Sequence, residues 1–599
     1  MSRADAERAR SAAVWRRVYC AGGMCLLLAL TASSARATEP ALTVSQATDS
    51  PAPQRIEGKG PSERSPAGAF LAAIQARADG DYARAADYYE IALSANPDNL
   101  ALAGDFMRVT LADGRHEAAT SLARKLVQVA ADDPLPGLVL AAEMVRAGDH
   151  ARALPLVENL ASRGSAALLG LLVKAWINAG LGDADRASAA LEVLSKHAAS
   201  QGIAAFHGAL IADYLGRFDA AEIGYAKSME LTQSSALRVV EAQTAFLRRR
   251  GRINEAIAVY ENYLKHDPDN PLIGTELTAA RRGDPAAAFV ESPAAGLAEA
   301  CFNLAGELAR EGAAEEAAIF ARLAIRLRPD FAVARAVLAS IYESLERWET
   351  AMAIYRSIDI DSPYGWNARM RIAGNLYRLD RVGAAREILE AMAAERPART
   401  DALIALGDML RAHDSWDAAV AAYDRAFERI ATISERDWAL FYTRGIALER
   451  SGRWVRAEGD FIQALEFRPD QPFVLNYLGY SWIEQGTHYV KALDMLRKAA
   501  SLRPRDGYIT DSLGWVYYRL GQYAEAVRWL ERAAELVPDD PVINDHLGDA
   551  YWRVDRRLEA RFQWRRALSF EPAAEEVAAI EAKLDHGIEE GIEAAPAAE

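Results

Sequence analysis

Near the C-terminal end, two carboxylates and an imidazole stand close enough in sequence to suggest a metal site. Asp545 and Asp549 are one helical turn apart, and His546 lies between them. Carboxylate and imidazole groups are zinc ligands, but a zinc site takes three or four protein ligands, and no second histidine is near in sequence. We therefore interpret the three residues as polar positions on a helix face, and we expect no metal and no other cofactor.

The motifs of the common enzyme classes are missing from the sequence. It contains no Gly-x-Ser-x-Gly, no Walker-type phosphate loop, no His-Glu-x-x-His and no Cys-x-x-Cys. Gly180-Leu181-Gly182 supplies two glycines of a dinucleotide-binding fingerprint, but the third glycine and the preceding strand are lacking. We therefore expect that the protein is not an enzyme.

The charge of the chain argues against nucleic acid as a partner. Asp and Glu together number 84 against 69 Lys and Arg, which gives a formal net charge of -15. Binding to a phosphate backbone requires a basic surface, because the affinity comes from neutralising phosphates with lysine and arginine. We expect no nucleic-acid partner.

A pattern of large and small residues occurs twice between positions 507 and 572, with a period of 34 residues. Each copy has a large residue followed by glycine, an aromatic residue, two alanines and a closing proline. The first copy contains Leu513-Gly514, Tyr517, Ala526, Ala533 and Pro538, and the second contains Leu547-Gly548, Tyr551, Ala560, Ala567 and Pro572. Within each half of a copy these residues share one helical stripe, which predicts two amphipathic helices joined by a turn.

The small residues of the pattern predict closely packed helix pairs. Glycine and alanine let two antiparallel backbones approach, while Tyr551 and Trp564 fill the space beside them. Gly521 stands between the halves of its copy, where a positive φ angle costs glycine little, and Pro538 ends the second helix. One pair cannot bury both its faces, so the pairs must stack. The pattern resembles the tetratricopeptide repeat (TPR) family, which implies an all-α fold: an α-solenoid of antiparallel helix pairs, or TPR superhelix.

Counting the pattern along the chain gives about fourteen repeats. We place an N-terminal TPR arm at 69–268 and a C-terminal TPR arm at 298–572. Residues 269–297, which include Pro285, are interpreted as a truncated repeat or a break, because proline prevents a regular second helix. Residues 573–590 have apolar side chains three and four places apart, and we predict that they form a capping helix over the last repeat.

The two ends of the chain differ from the repeats in composition. Residues 1–37 combine arginines, an apolar run and an Ala35-Arg36-Ala37 end, which is typical of a signal peptide; an uncleaved anchor is the alternative. Residues 38–68 lack periodicity and predict a disordered linker, and residues 591–599 predict an acidic tail. We expect an exported, periplasmic protein, or an inner-membrane anchored one facing the periplasm. Only an uncleaved N-terminal segment would then contact the membrane.

The TPR resemblance also implies where a ligand would bind. In this family the first helix of each repeat lines the concave face, and its second, fifth, ninth, twelfth and thirteenth positions point into the groove. Aromatic and arginine side chains, which dominate binding hot spots, are frequent at the matching positions. The candidate groove residues are Tyr442, Arg450, Asn476, Tyr480, Tyr508, Asp511, Trp515, Tyr518, Arg519, Asp545, Trp552 and Arg553. The alternative for aromatic residues such as Trp515 and Trp552 is packing between repeats or under the capping helix.

Taken together, these patterns favour a non-catalytic TPR scaffold of the cell envelope that binds a protein or peptide partner in its concave groove. The alternative is a TPR component of exopolysaccharide synthesis or secretion, in which the aromatic groove would meet sugar or a polymer-handling partner. The two hypotheses share the fold and the groove, and they differ in the chemistry of the ligand.

Overall fold

The computed structural model describes residues 65–129, 133–158, 164–232, 236–268 and 270–588. The predicted signal peptide, nearly all of the predicted linker and the predicted acidic tail lie outside these residues. The first helix begins at Pro66, three residues before the predicted boundary, because the Ser65 hydroxyl accepts a hydrogen bond of 3.1 Å from the amide of Gly68 and proline suits the first helical position. In the described part of the chain, no helix has both the length and the apolar character needed to cross a membrane.

The described residues form thirty α-helices and no strand. Those that begin before residue 300 are α1 (Pro66–Ala78), α2 (Tyr82–Ala95), α3 (Leu100–Asp113), α4 (His116–Leu126), α5 (Leu135–Arg146), α6 (His150–Val157), α7 (Gly164–Gly180), α8 (Ala184–Ser195), α9 (Gln201–Tyr214), α10 (Phe218–Leu231), α11 (Leu237–Arg249), α12 (Ile253–Leu264), α13 (Pro271–Arg282) and α14 (Pro293–Arg310). The next eight are α15 (Ala314–Leu327), α16 (Ala332–Ser344), α17 (Trp348–Arg356), α18 (Gly365–Arg378), α19 (Val382–Glu395), α20 (Asp401–Ala412), α21 (Trp416–Glu428) and α22 (Trp438–Arg450). The last eight are α23 (Trp454–Phe467), α24 (Pro472–Glu484), α25 (Tyr489–Leu502), α26 (Gly507–Arg519), α27 (Tyr523–Leu536), α28 (Pro541–Arg553), α29 (Arg557–Ser569) and α30 (Ala574–His586).

These helices pack in pairs, as the repeat pattern predicts. In the described residues, thirteen pairs are in extensive contact, from α1 with α2 to α28 with α29. Helices α18 and α19 occupy the place of a further pair, and α13 and α30 have no partner of their own. The all-α fold and the solenoid of helix pairs are therefore confirmed. In the segment predicted to be a truncated repeat or a break, α13 is followed by non-helical residues 283–292 before α14 begins.

The turn inside each pair needs an unusual backbone conformation. Gly114 and Gly521 occupy it with φ angles of 94° and 73°, in the left-handed region that glycine adopts without a steric penalty. Other repeats place a larger residue there, such as Glu346 with φ 56° and Asp380 with φ 58°. Because a residue with a Cβ atom is strained in this region by about 1 kcal/mol, these turns are less favourable than the glycine turns.

In several repeats, a glycine in the first helix is required by close packing. A Cβ atom on Gly548 would lie 2.5 Å from the ring of Trp564, and one on Gly407 would lie 2.4 Å from the ring of Tyr423. Both aromatic side chains are completely buried. The predicted arrangement, in which a small residue on one helix faces a large residue on the other, is therefore present in these pairs.

The chain divides into two compact units, and the boundary falls between Ile388 and Leu389, inside α19. We call residues 50–388 the N-terminal unit and residues 389–599 the C-terminal unit. The boundaries of the two arms predicted from the sequence stay predictions, since they were placed by counting repeats rather than by compactness.

Within the N-terminal unit, the chain folds back on its own early repeats. Helix α14 packs against α7 and, less extensively, against α5 and α9, while α15 packs against α3. The contact with α7 is tight, because a Cβ atom on Gly296 would lie 2.3 Å from the fully buried ring of Trp176. The helices covered in this way are the first helices of their repeats. A later helix pair therefore occupies the face that a ligand would use in these early repeats.

Ion pairs between residues far apart in sequence hold this arrangement together. The guanidinium of Arg77 pairs with Glu315, 238 residues away, at 2.6 Å, and that of Arg326 pairs with Glu143, 183 residues away, at 2.8 Å. Each pair joins an early helix of the unit to α15. Because the side chains are mostly buried, solvent screens these pairs less than it screens surface ion pairs.

Arg238 lies in the interior of the N-terminal unit between carboxylates and aromatic rings. Its guanidinium pairs with Glu241 and with the fully buried Glu299, and it lies 4.3 Å from the ring centre of Phe289 and 5.3 Å from that of Phe331. Burial alone would lower the pKa of Arg238, but the two carboxylates outweigh burial and raise it. Phe289 belongs to the non-helical segment after α13, so this segment packs against the interior of the N-terminal unit.

Within the C-terminal unit, side chains contact their neighbours along the chain. The Glu484 carboxylate pairs with Arg519, which is 35 residues away, and the Asp545 carboxylate pairs with Lys583, which is 38 residues away. Both separations are close to one repeat. Helix α30, in the region predicted to form a capping helix, packs against α29 at the end of the array. Each repeat is thus supported by the repeats before and after it, as in a linear solenoid.

Candidate functional site

All twelve candidate groove residues lie in the C-terminal unit, on the first helices α22, α24, α26 and α28. We call this set the first-helix row. Four of its members are buried, namely Asn476, Tyr480, Asp511 and Tyr518. Eight are half-buried, namely Tyr442, Arg450, Tyr508, Trp515, Arg519, Asp545, Trp552 and Arg553. None is fully exposed, so only part of each half-buried side chain can meet a ligand.

The beginning of the first-helix row is held by aromatic contacts. The ring of Tyr442 lies 6.2 Å from those of Phe461 and Tyr477, and the guanidinium of Arg450 lies 5.0 Å from the ring centre of Trp416. Trp416 begins the second helix of the preceding repeat, so this cation–π contact crosses from one repeat to the next. Both residues of the row are therefore fixed in position before any ligand arrives.

The middle of the row contains a stack of three rings. The indole of Trp515 is parallel to the ring of Tyr518, with centres 4.8 Å apart, and to the imidazole of His546, with centres 4.0 Å apart. The indole nitrogen of Trp515 donates a hydrogen bond of 3.2 Å to Glu484, which also accepts one of 3.0 Å from Arg519. Three repeats contribute to this cluster. Stacking and hydrogen bonding together leave Trp515 a single orientation, with part of the indole accessible.

His546 is bound to a buried carboxylate beneath this stack. Its Nδ1 atom lies 3.0 Å from Asp511, and both side chains are almost completely inaccessible. Burial alone would lower the pKa of His546, but the carboxylate of Asp511 outweighs burial and raises it, assisted by Asp545 and Asp549. The site therefore favours the imidazolium form, in which the ring nitrogen donates to Asp511.

The end of the row is covered by the last helix. The Nζ atom of Lys583 on α30 lies 2.7 Å from the carboxylates of both Asp545 and Asp549, and the indole nitrogen of Trp552 donates 3.2 Å to the backbone carbonyl of Ile588. Gly587 allows this approach, since a Cβ atom there would lie 2.0 Å from the indole of Trp552. Trp552 thus packs under the C-terminal segment. The sequence analysis gave packing under the capping helix as the alternative to a place in the groove.

The structure also explains the polar triplet with which the sequence analysis began. Asp549 accepts a hydrogen bond of 2.9 Å from the indole of the buried Trp564 as well as the contact from Lys583, and His546 is turned toward Asp511. The triplet is therefore a structural network on one helix face, in which His546 and Asp549 are buried. No group of three or more possible metal ligands was found in the part of the chain that the structure describes.

Two of the four buried members of the row, Tyr480 and Asn476, lie between consecutive repeats. Tyr480 is 4% exposed and Asn476 is 3% exposed, which is less than a direct ligand contact needs. Burial, together with the carboxylates of Glu484 and Asp511, raises the pKa of Tyr480. These residues position the neighbouring first helices, because a neutral phenol and an amide fill the space between consecutive repeats.

Sequence reasoning missed three residues that organise the row: Glu484, His546 and Lys583. Glu484 is at the thirteenth position of its repeat, where the other repeats of the row carry Arg450, Arg519 or Arg553, and this exchange of sign was a detectable signal. His546 was noticed only as a metal-ligand candidate. Lys583 had no signal, because its partners depend on how the last helix lies on α28.

A search for known families matches a TPR repeat model to residues 514–555. Among curated proteins, the TPR repeat-containing protein PA4667 of Pseudomonas aeruginosa is 29% identical over 159 residues, and this match covers 26% of this chain and 26% of the relative. The chain therefore spans about a quarter of the length of this relative.

Solved structures with similar folds were found as well. The Cut9–Hcn1 hetero-tetramer of APC/C contains a chain that is 14% identical, with a TM-score of 0.36, over 87% of this chain and 96% of that chain. MamA from Desulfovibrio magneticus RS-1 is 21% identical, with a TM-score of 0.26, over 29% of this chain and 94% of its own.

Successive helix pairs with a left-handed turn between their helices, several of them with a glycine at the close contact, define an α-helical repeat protein. The family match falls on the two copies of the pattern that are most regular in the sequence, at α26 to α28. The chain therefore contains tetratricopeptide repeats.

Proposed function

We propose that the protein is a non-catalytic scaffold of the cell envelope that binds a segment of a partner protein along the first-helix row. The observation that supports this most is the ring stack at Trp515, whose indole is half-buried and held by Tyr518, His546 and Glu484. A fixed, partly accessible aromatic side chain beside an arginine is the usual composition of a binding hot spot. Because these side chains are already ordered, a ligand loses less conformational entropy on binding.

The ligand surface that we assign consists of the half-buried members of the row that α30 does not cover, from Tyr442 to Arg519. Asp545 and Trp552 are occupied by Lys583 and by the carbonyl of Ile588, so we assign them to the stability of the array. The N-terminal unit is a weaker candidate, because α14 and α15 cover first helices of its early repeats.

The binding proposal is tested with the full chain immobilised and exposed to a cell-envelope extract. We expect one protein, identified by mass spectrometry, to be retained by the wild type and reduced at least about tenfold when Tyr508 and Trp515 are replaced by alanine, since hot-spot truncations cost about 2 kcal/mol or more. Trp348→Ala serves as the matched control, because it removes a half-buried tryptophan outside the row.

Circular dichroism must show that the variants keep their helices. Equal retention of the partner by the double variant and the wild type would remove the assignment of the row. Recovery of a polysaccharide in place of a protein would favour the alternative role in exopolysaccharide synthesis or secretion.

We also propose that the chain is exported, on the basis of the arginines and the apolar run within residues 1–37. The mass of the mature protein isolated from its native cells tests this. We expect the chain to begin at Thr38 and to appear in the periplasmic fraction. A mass that includes Met1, together with recovery in the membrane fraction, would instead support an anchored protein facing the periplasm, and recovery of the full-length chain among cytoplasmic proteins would contradict export.

A further inference from the structure

The outer face of α29, the second helix of the last repeat, carries two exposed apolar side chains. Leu558 is 82% exposed and Phe562 is 60% exposed, and they are one helical turn apart. The inner face of the same helix is completely buried through Ala560, Trp564 and Ala567. The exposed pair is therefore not part of the core of the last repeat, and a leucine beside a phenylalanine is a large apolar area to leave in water.

Arginines flank this apolar pair. Arg561 and Arg565 are also one turn apart on α29, and within the described residues neither forms an ion pair or a side-chain hydrogen bond. The only acidic residue of α29, Glu559, is paired at 3.0 Å with Arg556, just before the helix begins. The outer face of α29 therefore combines uncompensated positive charge with apolar surface.

The preceding second helix, α27, shows that this arrangement is not general. Its outward arginines are neutralised on the same helix, Arg528 by Glu525 at 3.2 Å and Arg532 by Glu535 at 2.9 Å. Neither α27 nor its repeat has a large apolar side chain among the exposed residues. The two helices occupy the same place in consecutive repeats, so the difference lies in their outer faces and not in the fold.

We propose that the outer face of α29 is a docking site for an acidic amphipathic helix of a partner protein. Two carboxylates one turn apart on the partner would pair with Arg561 and Arg565, and apolar side chains on its adjoining stripe would cover Leu558 and Phe562. Charge complementarity favours this occupant, because guanidinium groups without intramolecular partners bind carboxylates bidentately. An anionic bilayer fits less well, since the net charge of the chain is -15 and the exposed apolar strip is one turn long.

This site goes beyond the proposed function, since it lies on a second helix and shares no residue with the first-helix row. A partner that occupies both surfaces, or two partners at once, would make the C-terminal unit a bivalent platform. Linked binding of this kind raises the overall affinity without any new contact.

The test uses the full chain and a fluorescein-labelled synthetic peptide with glutamates four residues apart and leucines on the adjacent helical stripe. We expect binding that weakens with added salt, and a Kd at least about tenfold higher for the Arg561→Glu, Arg565→Glu variant, because two attractive pairs become repulsive. Replacing Leu558 and Phe562 by alanine should raise the Kd about fivefold or more. All four positions face solvent or nearly so, and thermal unfolding checks that the variants remain folded.

The matched control is the double variant Arg468→Glu, Arg505→Glu. These two arginines are exposed in the same unit, lie in the connections after α23 and after α25, and form no ion pair within the described residues. The control makes the same change of net charge, so we expect less than a twofold change in the Kd. Equal weakening by both double variants would show non-specific attraction and overturn the proposal.

Two further arms separate other occupants of the same face. Binding of phosphatidylglycerol vesicles but not of the peptide, lost in the Arg561→Glu, Arg565→Glu variant, would assign the face to a membrane and overturn the proposal. Peptide binding only by a chain that ends at Ile588 would show that residues 589–599 cover the face, and this outcome would overturn a partner protein as the occupant. Failure of the peptide to bind any form of the chain would also overturn the proposed docking site. None of these results would affect the assignment of the first-helix row.

Discussion

The two units of this protein use the same repeat in different ways. In the N-terminal unit, Arg77 pairs with Glu315 and Gly296 packs on Trp176, so residues more than a hundred positions apart depend on one another. In the C-terminal unit, Glu484 pairs with Arg519 in the next repeat. The other contacts of the first-helix row lie within one repeat, join neighbouring repeats or reach the segment after the last repeat. A solenoid that contacts only its neighbours keeps its inner face available for a ligand, whereas one that folds back fills that face with its own helices.

The comparison shows that the repeat pattern alone does not decide whether a groove is available. Both units have glycine turns and glycine contacts. What differs is the connection after α13, where residues 283–292 are not helical and Phe289 packs on Arg238. This irregular segment precedes the helix pair that covers the early repeats.

The largest effect on stability is expected from Lys583, at the end of the C-terminal unit. Replacing Lys583 by methionine keeps its aliphatic part but leaves Asp545 and Asp549 buried without a cation, which should cost about 3–5 kcal/mol. Denaturant unfolding should show a lower midpoint for this variant. Hydrogen exchange should show lost protection in α28 to α30 and unchanged protection in the N-terminal unit. Adding Asp545→Asn and Asp549→Asn should restore much of the stability, and an unchanged unfolding midpoint for Lys583→Met alone would contradict the network.

A matched pair of glycine substitutions tests the difference in contact range directly. Gly296→Ala and Gly548→Ala each place a Cβ atom within 2.5 Å of a buried indole, so each should destabilise by about 1–3 kcal/mol. We expect Gly548→Ala to increase hydrogen exchange only in α28 and α29, which lie next to each other in sequence. Gly296→Ala should increase exchange in α14 and also in α7, more than a hundred residues away. Exchange confined to α14 would mean that the covering helix pair is not tightly packed.

The smallest effect concerns two buried histidines whose contributions to stability change with pH in opposite directions. Burial lowers the pKa of His207 in the N-terminal unit to about 3, whereas Asp511 raises that of His546 despite burial. Relative to an unfolded pKa of about 6.5, His207 contributes stability that is lost as pH falls below that value. His546 contributes stability that is complete below that value and is lost as pH rises through its folded pKa.

Thermal unfolding between pH 5 and pH 8 measures both effects, with His207→Gln and His546→Gln compared with the exposed control His266→Gln. The loss of stability relative to the wild type should grow with pH for His207→Gln and shrink with pH for His546→Gln. Parallel curves for the two variants would show that the two imidazoles have the same charge in the folded protein.

The sequence predicted the helix pairs well because the signals are local. The period, the glycine at Gly548 and the left-handed turn at Gly521 each involve residues within one repeat, and the structure has them where the pattern places them. The residues of the first-helix row were assigned by position, and position does not report burial. Tyr518 and Trp552 illustrate this, since one is buried between repeats and the other is covered by the C-terminal segment.

The covering of the early repeats by α14 and α15 could not be predicted from the sequence in the same way. It depends on pairs such as Arg326 with Glu143, which have no periodic relation, and on the shape of a segment without a repeat. A sequence of this kind contains many arginines and glutamates at helix surfaces, so charge alone does not identify which of them meet. The packing of Gly296 on Trp176 and the ion pairs to α15 together select one arrangement.

The pairing of Arg77 with Glu315 has a consequence for how such a chain can change in length. Duplication or loss of a whole repeat is the ordinary way in which solenoids grow and shrink, and the C-terminal unit could accept it, because each repeat needs only its neighbours. Duplication or loss of a repeat between α1 and α15 would displace Arg77 from Glu315 by the width of a repeat. The number of repeats in that interval is therefore set by geometry, and inherited variation in length should be confined to the later part of the array.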